Sequence, residues 1–251
     1  MDPERFTLLL WIELIAALVI VPILRFISAP YGRHARRGFG PTIPARLGWF
    51  VMEAPALGCF LYMFFQTCEH SAAALLLAGL WVAHYGYRSL VYPLRLRGGG
   101  RMPALVAGMA FVFNLCNGSI NGYAIAALAP HLSAPSWLFD PRFLVGVAMF
   151  ACGMWINHDA DAALRRLRAP GETGYKIPRG GLYERVSCPN YLGELIEWTG
   201  FCLAAWTPAA AVFVVFTAAN LIPRALAHHR WYRERFPDYP PRRRAIFPGL
   251  L

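Results

Sequence analysis

Apolar runs long enough to cross a lipid bilayer recur along almost the whole chain, and they constrain its fold more than any single motif does. A hydrocarbon core about 30 Å thick needs about 20 apolar residues per helix. Such runs fall near residues 6 to 28, 48 to 66, 72 to 92, 103 to 128, 143 to 160, 190 to 206 and 208 to 226. With 57% hydrophobic residues, 15% charged residues and a mean hydropathy of +0.40, there are too few charges to coat a water-soluble globule of 251 residues. The expected architecture is therefore an all-α integral membrane protein with seven transmembrane helices. The first run is too long for a secretory leader and lacks a small-residue cleavage site, so it reads as a retained anchor. Little more than Thr207 and Pro208 separates the last two runs. Six crossings with a re-entrant segment is the alternative.

Charge placement is an independent guide to orientation, because positively charged loops stay in the cytosol. With seven crossings, every one of the 24 Lys and Arg residues except Arg5 and Arg142 falls on one side. The N-terminus is then outside and the C-terminus cytosolic. The net charge of +10 is concentrated on one face, where topology and anionic headgroups account for it. No recognition motif accompanies the charge, so no nucleic-acid partner is expected. Arginine and alanine enrichment with a single lysine suggests a GC-rich bacterial genome. A bacterial inner membrane is the expected location, or the endoplasmic reticulum for a eukaryotic source, and a monomer is expected.

The cysteines Cys59, Cys68, Cys116, Cys152, Cys188 and Cys202 are scattered singly, with no CxxC spacing and no neighbouring histidine pair. Neither a disulfide framework nor a metal site is indicated. Asn117-Gly118-Ser119 matches a glycosylation triplet but lies inside a predicted span. Gly98-Gly99-Gly100 lacks the strand-turn-helix setting of a phosphate-binding fingerprint and reads as a cytosolic turn. There is no Walker loop, no dinucleotide GxGxxG and no internal repeat, so one membrane domain spans the chain.

Polar residues inside the apolar runs carry the functional signal. A charged side chain near mid-bilayer costs roughly 2.5 to 3.5 kcal/mol on insertion scales, and such residues survive mainly where they face a polar cavity or a ligand. Asn190, Glu194, Glu197 and Trp198 line the start of the sixth span. Asn157, Asp161, Arg165 and Arg168 form one stripe running from the fifth span into the following loop, and Arg224, His228 and Tyr232 form another as the last span emerges. Taken singly, each is explained by interfacial snorkelling or an inter-helix hydrogen bond. Together the three stripes suit a large polyanionic ligand with sugars and a heteroaromatic base.

A second polar set lies deeper. Glu53, followed by Pro55, is the only charged residue in the middle of the second span, and His84 with Tyr85 interrupts the third. A buried Glu and Tyr can share a proton and donate to a ligand carbonyl, as an oxyanion-type device. Taken alone, Tyr85 is more readily a packing residue with a satisfied hydroxyl. Asn114, Asn117 and Asn121 add either helix-helix glue or a cavity wall.

The stretch KIPRGGLYERVSCPNYLGELIEWTGF (176 to 201), preceded by GMWINHDAD (153 to 161) and followed by HRWYRERFPDYPPRRRAIFPGLL (229 to 251), resembles the steroid 5α-reductase family. The likeness continues through Glu53 to Pro55 and through His84, Tyr85 and Arg88, so it covers most of the chain. It implies a seven-helix membrane reductase that uses NADPH to saturate the double bond of a 3-oxo-Δ4-steroid. A substrate-cavity half (about 1 to 130) and an NADPH-binding half (about 140 to 251) are implied with it. The family's nucleotide-contacting positions match Asn157, Asp161, Arg165, Arg168, Tyr175, Asn190, Glu194, Arg224, His228 and Tyr232. The carbonyl-binding pair matches Glu53 and Tyr85, and Trp198 matches a tryptophan near nicotinamide and substrate. The chain departs from human-type members at Met52, where they carry Gln, and in the glycine loop after Arg97.

The same polar sets admit other activities. Enoyl-CoA and polyprenol reductases of the superfamily would keep the nucleotide residues and change the hydrophobic chamber. A prenylcysteine-type membrane methyltransferase would use S-adenosylmethionine instead. A non-enzymatic sterol sensor would leave the cytosolic stripes unexplained.

Overall fold

A computed structural model describes residues 1 to 251 apart from 31, 68, 97 to 99, 168 to 171 and 173. Its helices are α1 (Pro3–Phe26), α2 (Ala45–Phe64), α3 (Ala72–Gly86), α4 (Ala104–Ala127), α5 (Pro141–Arg166), α6 (Pro189–Ala205) and α7 (Pro208–Arg235). Five of them, α1, α2, α4, α5 and α7, are long and apolar enough to cross a membrane. This membrane-protein architecture is coarser than the seven spans expected from the sequence. The two that fall short have identifiable features. The helix α3 has 15 residues but continues through a π turn, Tyr87–Val91, into a further turn, Tyr92–Arg95. The helix α6 has only 17 residues and carries Glu194 and Glu197. The tails of α5 and α7 run beyond the expected spans, the helix continuing where polar residues replace the apolar run.

One element is absent from the all-α expectation. Thr42–Pro44 and Arg101–Pro103 pair as a short antiparallel ribbon that leads directly into α2 and α4. Pro44 and Pro103 stand at the helix entries, where a missing N–H costs nothing. Gly98 and Gly99 of the glycine run lie outside the described residues.

At the opposite end, α1, α3, α5 and α7 are each started by a side-chain cap, from Asp2, Ser71, Asp140 and Thr207 respectively. Between α6 and α7 the chain reverses through Trp206, whose φ of 49° is the one positive value among described non-glycine residues. Trp137 Nε1 and His131 Nε2 lie 3.0 Å from the carbonyls of Ala204 and Ala205, covering the end of α6.

Small residues set the helix pairs. Gly146 and Gly153 of α5 face Gly200 and Gly193 of α6 in antiparallel order, backbone against backbone. Gly118 and Gly122 of α4 face Ala56 and Phe60 of α2 in parallel order. Without a hydrophobic drive between helices in lipid, close approach of this kind is what holds them together. The helix α1 packs mainly on α7 and leaves much of its apolar surface exposed.

Candidate active site

The polar residues named from the sequence converge inside this frame. Pro55 lacks the N–H that would close the helix turn behind it, so α2 is open just where Glu53 sits. Asn114 of α4 donates to the neighbouring Met52 carbonyl at 2.5 Å and lies 3.5 Å from Glu53 Oε2. The helix α3 widens into its π turn immediately after Tyr85, a local geometry common at functional sites. Asn117 Nδ2 donates to the Tyr85 hydroxyl at 3.2 Å. Glu53 and Tyr85 are 8% and 4% exposed, so both side chains lie in the protein interior.

Arg88, one turn after Tyr85, joins this set to α5. Its guanidinium lies 3.5 Å from Glu53 Oε1 and 3.9 Å from Asp161 Oδ2, over the rings of Trp49 and Tyr92 at 4.5 and 4.7 Å. Asp161 accepts from Asn190 Nδ2 at 3.3 Å. Asn157 Nδ2 donates to the Asn190 carbonyl at 2.9 Å and lies 3.5 Å from Glu194 Oε2. A continuous polar seam thus runs from Glu53 through Arg88 to Asp161, Asn190, Asn157 and Glu194. Glu197 departs from the rest of its stripe: it lies 2.7 Å from His84 Nδ1 on α3. Trp198 is sealed among Trp81, His84, Tyr85 and Phe213, with ring centroids 4.5 to 5.6 Å away.

A second cluster lies where α1 and α7 end. Arg224 Nη2 donates to Tyr191 OH at 3.1 Å, that hydroxyl lies 3.1 Å from His228 Nε2, and His228 Nδ1 lies 2.9 Å from His34 Nε2. Arg33 sits over the rings of Tyr232, Trp231 and Tyr175 at 4.4, 5.3 and 5.4 Å. Burial, reinforced by Arg33, Arg224 and Arg36, pushes His34 down to about 4, so it is uncharged at neutral pH. Arg165 is half-buried one turn beyond Asp161. Arg168 lies outside the described residues.

The C-terminal tail explains why its motif is long. Ser187 N and Cys188 N donate to the carbonyls of Arg244 and Ala245, and Arg244 N donates to the Arg185 carbonyl. Arg243, 2% exposed, donates to the Pro178 carbonyl at 3.2 Å. Ser187 Oγ lies 2.6 Å from Tyr239 OH and 2.7 Å from His229 Nδ1. The tail therefore straps the 176 to 189 loop beneath the start of α6.

Sequence reasoning undervalued four features. Arg33 and Arg243 counted only as topological charge, His34 was not named, Arg88 counted as topological charge and again through the resemblance, and the His84–Glu197 pair was not foreseen. All depend on contacts between distant segments. Only the pairing of His84 with Tyr85 inside an apolar run left any local signal.

A buried polar seam beginning at Glu53, a buried phenol and a separate basic, aromatic-lined cluster, all on long apolar helices, fit a membrane-embedded helical enzyme. The family model described as 3-oxo-5-alpha-steroid 4-dehydrogenase matches residues 100 to 251. The chain is 41% identical to the bovine 3-oxo-5-alpha-steroid 4-dehydrogenase 1 over 99% of its own length and 98% of the relative's. It is 43% identical to the human protein of the same name, covering 89% and 87%, and 42% identical to the steroid 5-alpha-reductase DET2 of Arabidopsis thaliana, covering 90% and 89%. The chain belongs to the steroid 5α-reductase family, and it is an oxidoreductase acting on CH–CH bonds.

Proposed function

We propose that the enzyme reduces the Δ4 double bond of 3-oxo-Δ4-steroids to 5α-reduced 3-oxosteroids, with NADPH as reductant. The observation that carries this reading is the buried seam that links Glu53 to the α5–α6 polar residues through Arg88, one helical turn from the buried Tyr85. The donor set fits a nicotinamide dinucleotide phosphate. Arg33 Nη1 is buried without a hydrogen-bond partner beside an aromatic trough, and Arg224 and His228 lie one helical turn apart. Asn157, Asp161, Arg165, Arg168, Tyr175, Asn190, Glu194, Arg224, His228 and Tyr232 would hold it.

When bound, the reduced cofactor supplies hydride to the β carbon of the enone. Glu53 and Tyr85 hydrogen-bond the 3-oxo oxygen and stabilise the negative charge that grows there as the enolate forms. The two contacts that Glu53 already makes are 3.5 Å long, too long to occupy either oxygen fully. A proton added at the α carbon completes the saturated ketone. Trp198 and its aromatic neighbours exclude water, which would otherwise compete for the two donors. The apolar substrate enters from the bilayer.

We further propose seven crossings, with the N-terminus outside and the arginine-rich end in the cytosol, in a bacterial inner membrane. The continuous helical path through Arg95 and the cap over the end of α6 support this reading. The chain acts as a monomer, in one domain.

Purified enzyme incubated with NADPH and testosterone or progesterone is expected to yield product two mass units heavier. Glu53→Gln is expected to lose about 10²-fold or more in turnover while NADPH affinity stays within about twofold. Full steroid turnover by Glu53→Gln refutes its assigned role. Binding of S-adenosylmethionine without NADPH, or turnover restricted to enoyl thioesters or polyprenols, replaces the reading.

A further inference from the structure

Tyr85 must present its proton, rather than its lone pairs, to a ketone, and a phenol free to rotate would not hold that choice. Asn117 removes the freedom. Its Nδ2 lies 3.2 Å from the Tyr85 hydroxyl, so the phenolic oxygen accepts and its proton is directed elsewhere. The opposite arrangement, with the Asn117 amide reversed, would make Tyr85 spend its proton on Asn117 Oδ1.

Asn121, one turn further along α4, excludes that reversal. Its Nδ2 donates both to Asn117 Oδ1, at 2.9 Å, and to the Asn117 backbone carbonyl, at 3.1 Å. A backbone carbonyl only accepts, so the Asn121 atom beside it must be nitrogen, and the Asn117 atom facing that nitrogen must be oxygen. This assignment leaves Asn121 Oδ1 without a partner, yet turning it around would set oxygen against the carbonyl. The polarity of the whole chain, Asn121 to Asn117 to Tyr85, is therefore set by one backbone group. Asn117 and Asn121 are both 0% exposed, so the protein interior shields the chain from solvent. The chain is also held at one depth: a Cβ at Gly118 or Gly122, next to each asparagine, would come within 2.7 or 2.5 Å of an α2 carbonyl oxygen.

We propose that Asn117 and Asn121 are positioning residues that hold the Tyr85 phenol as a donor towards the substrate carbonyl. The inference rests on the proposed pairing of Glu53 and Tyr85 as a carbonyl clamp. A hydrogen bond received by the phenol oxygen also strengthens the one its proton gives, as in any hydrogen-bonded chain. The benefit is thus greatest when the ketone becomes an enolate.

The test is a set of cycles in purified enzyme: Asn117→Ala, Asn117→Asp and Asn121→Ala, each alone and combined with Tyr85→Phe, read as kcat, steroid KM and NADPH affinity. Asn117→Asp keeps the side-chain shape and the bond from Asn121 while replacing the donor with an acceptor, so it covers the case in which Asn117→Ala does not fold. Each single variant is expected to lower kcat about tenfold, the worth of one well-placed hydrogen bond, with NADPH affinity unchanged. In the Tyr85→Phe background the same changes are expected to cost less than about twofold, since their target is gone. Equal losses in both backgrounds, or no loss in kcat, overturn the positioning role. Full activity in Tyr85→Phe alone overturns the clamp itself, a result distinct from a crippled Tyr85→Phe with silent asparagine variants.

Discussion

The imidazole of His84 and the carboxyl of Glu197 lie 2.7 Å apart and join α3 to α6 in the middle of the bundle. Their exposures are 4% and 0%, and the His84 ring meets Trp198 edge-on at 4.6 Å. The pair thus ties the helix carrying Tyr85 to the helix carrying Asn190 and Glu194. Leaving one partner of such a buried hydrogen-bonded pair unsatisfied typically costs about 1 to 3 kcal/mol. Replacing both with apolar groups costs much less.

Glu197→Leu and His84→Phe are each expected to lower unfolding stability in detergent micelles by about 1 to 3 kcal/mol, and the double variant by less than the sum. Strict additivity in thermal unfolding would show that the two side chains do not act together.

Helix propensity and packing make opposite predictions at Gly153. Alanine normally stabilises a helix interior by about 0.5 to 1 kcal/mol relative to glycine. A Cβ on Gly153, however, would run into Gly193 O and Glu197 N of α6. Gly153→Ala is expected to destabilise the protein by about 1 to 3 kcal/mol through overpacking. Gly79→Ala, with nothing within 4 Å of the new methyl, should be neutral or better. A Gly153→Ala protein as stable as wild type would show that the α5–α6 contact is looser than described.

Acid should loosen the basic, aromatic-lined cluster through His34. Burial first, then Arg33, Arg224 and Arg36, lower its value from 6.5 to about 4. The unfolded chain therefore takes up a proton as pH falls below about 6.5 while the folded chain does not. The stability it contributes is complete above that point and is lost progressively towards pH 4. The 2.9 Å contact with His228 adds a structural reason, since one of the two facing nitrogens must be bare to accept. Thermal unfolding of wild type should fall between pH 6.5 and 4 more steeply than that of His34→Gln. Parallel curves would dismiss His34 as the sensor.

Much of the helix frame was legible beforehand. The expected runs and the observed helices agree to within a few residues at most ends, because a bilayer-length apolar stretch leaves few other structures open. The large misses were the tails of α5 and α7. There the helix continues through polar residues, and hydropathy loses its grip although i, i+4 spacing still carries Asp161, Arg165, His228 and Tyr232. The ribbon of Thr42–Pro44 and Arg101–Pro103 was missed for a different reason. Three residues are too few to show a period, and the partner strand is more than 50 residues away.

Within the site, helical spacing correctly put Asn157 with Asp161 and Arg224 with His228, since residues on one helix face are fixed by geometry alone. It grouped Glu197 with Glu194 on the same basis. Yet those two carboxyls contact different helices, one meeting His84 and the other Asn157. Three residues along a helix turn a side chain through less than a full circle, and in a crowded bundle that offset selects another neighbour.

Composition and run length were enough on their own to specify a helical membrane protein with its polar residues in a few stripes, because the cost of polar groups in hydrocarbon acts locally on every segment. Which stripe meets which was decided only by tertiary packing. Glycine contacts such as Gly153 with Gly193 and Gly118 with Ala56 set the depth and rotation of each helix, and those determine that Arg88 spans Glu53 and Asp161 and that Asn117 reaches Tyr85. A linear pattern records the face a residue occupies; the partner across the gap depends on how closely two backbones approach.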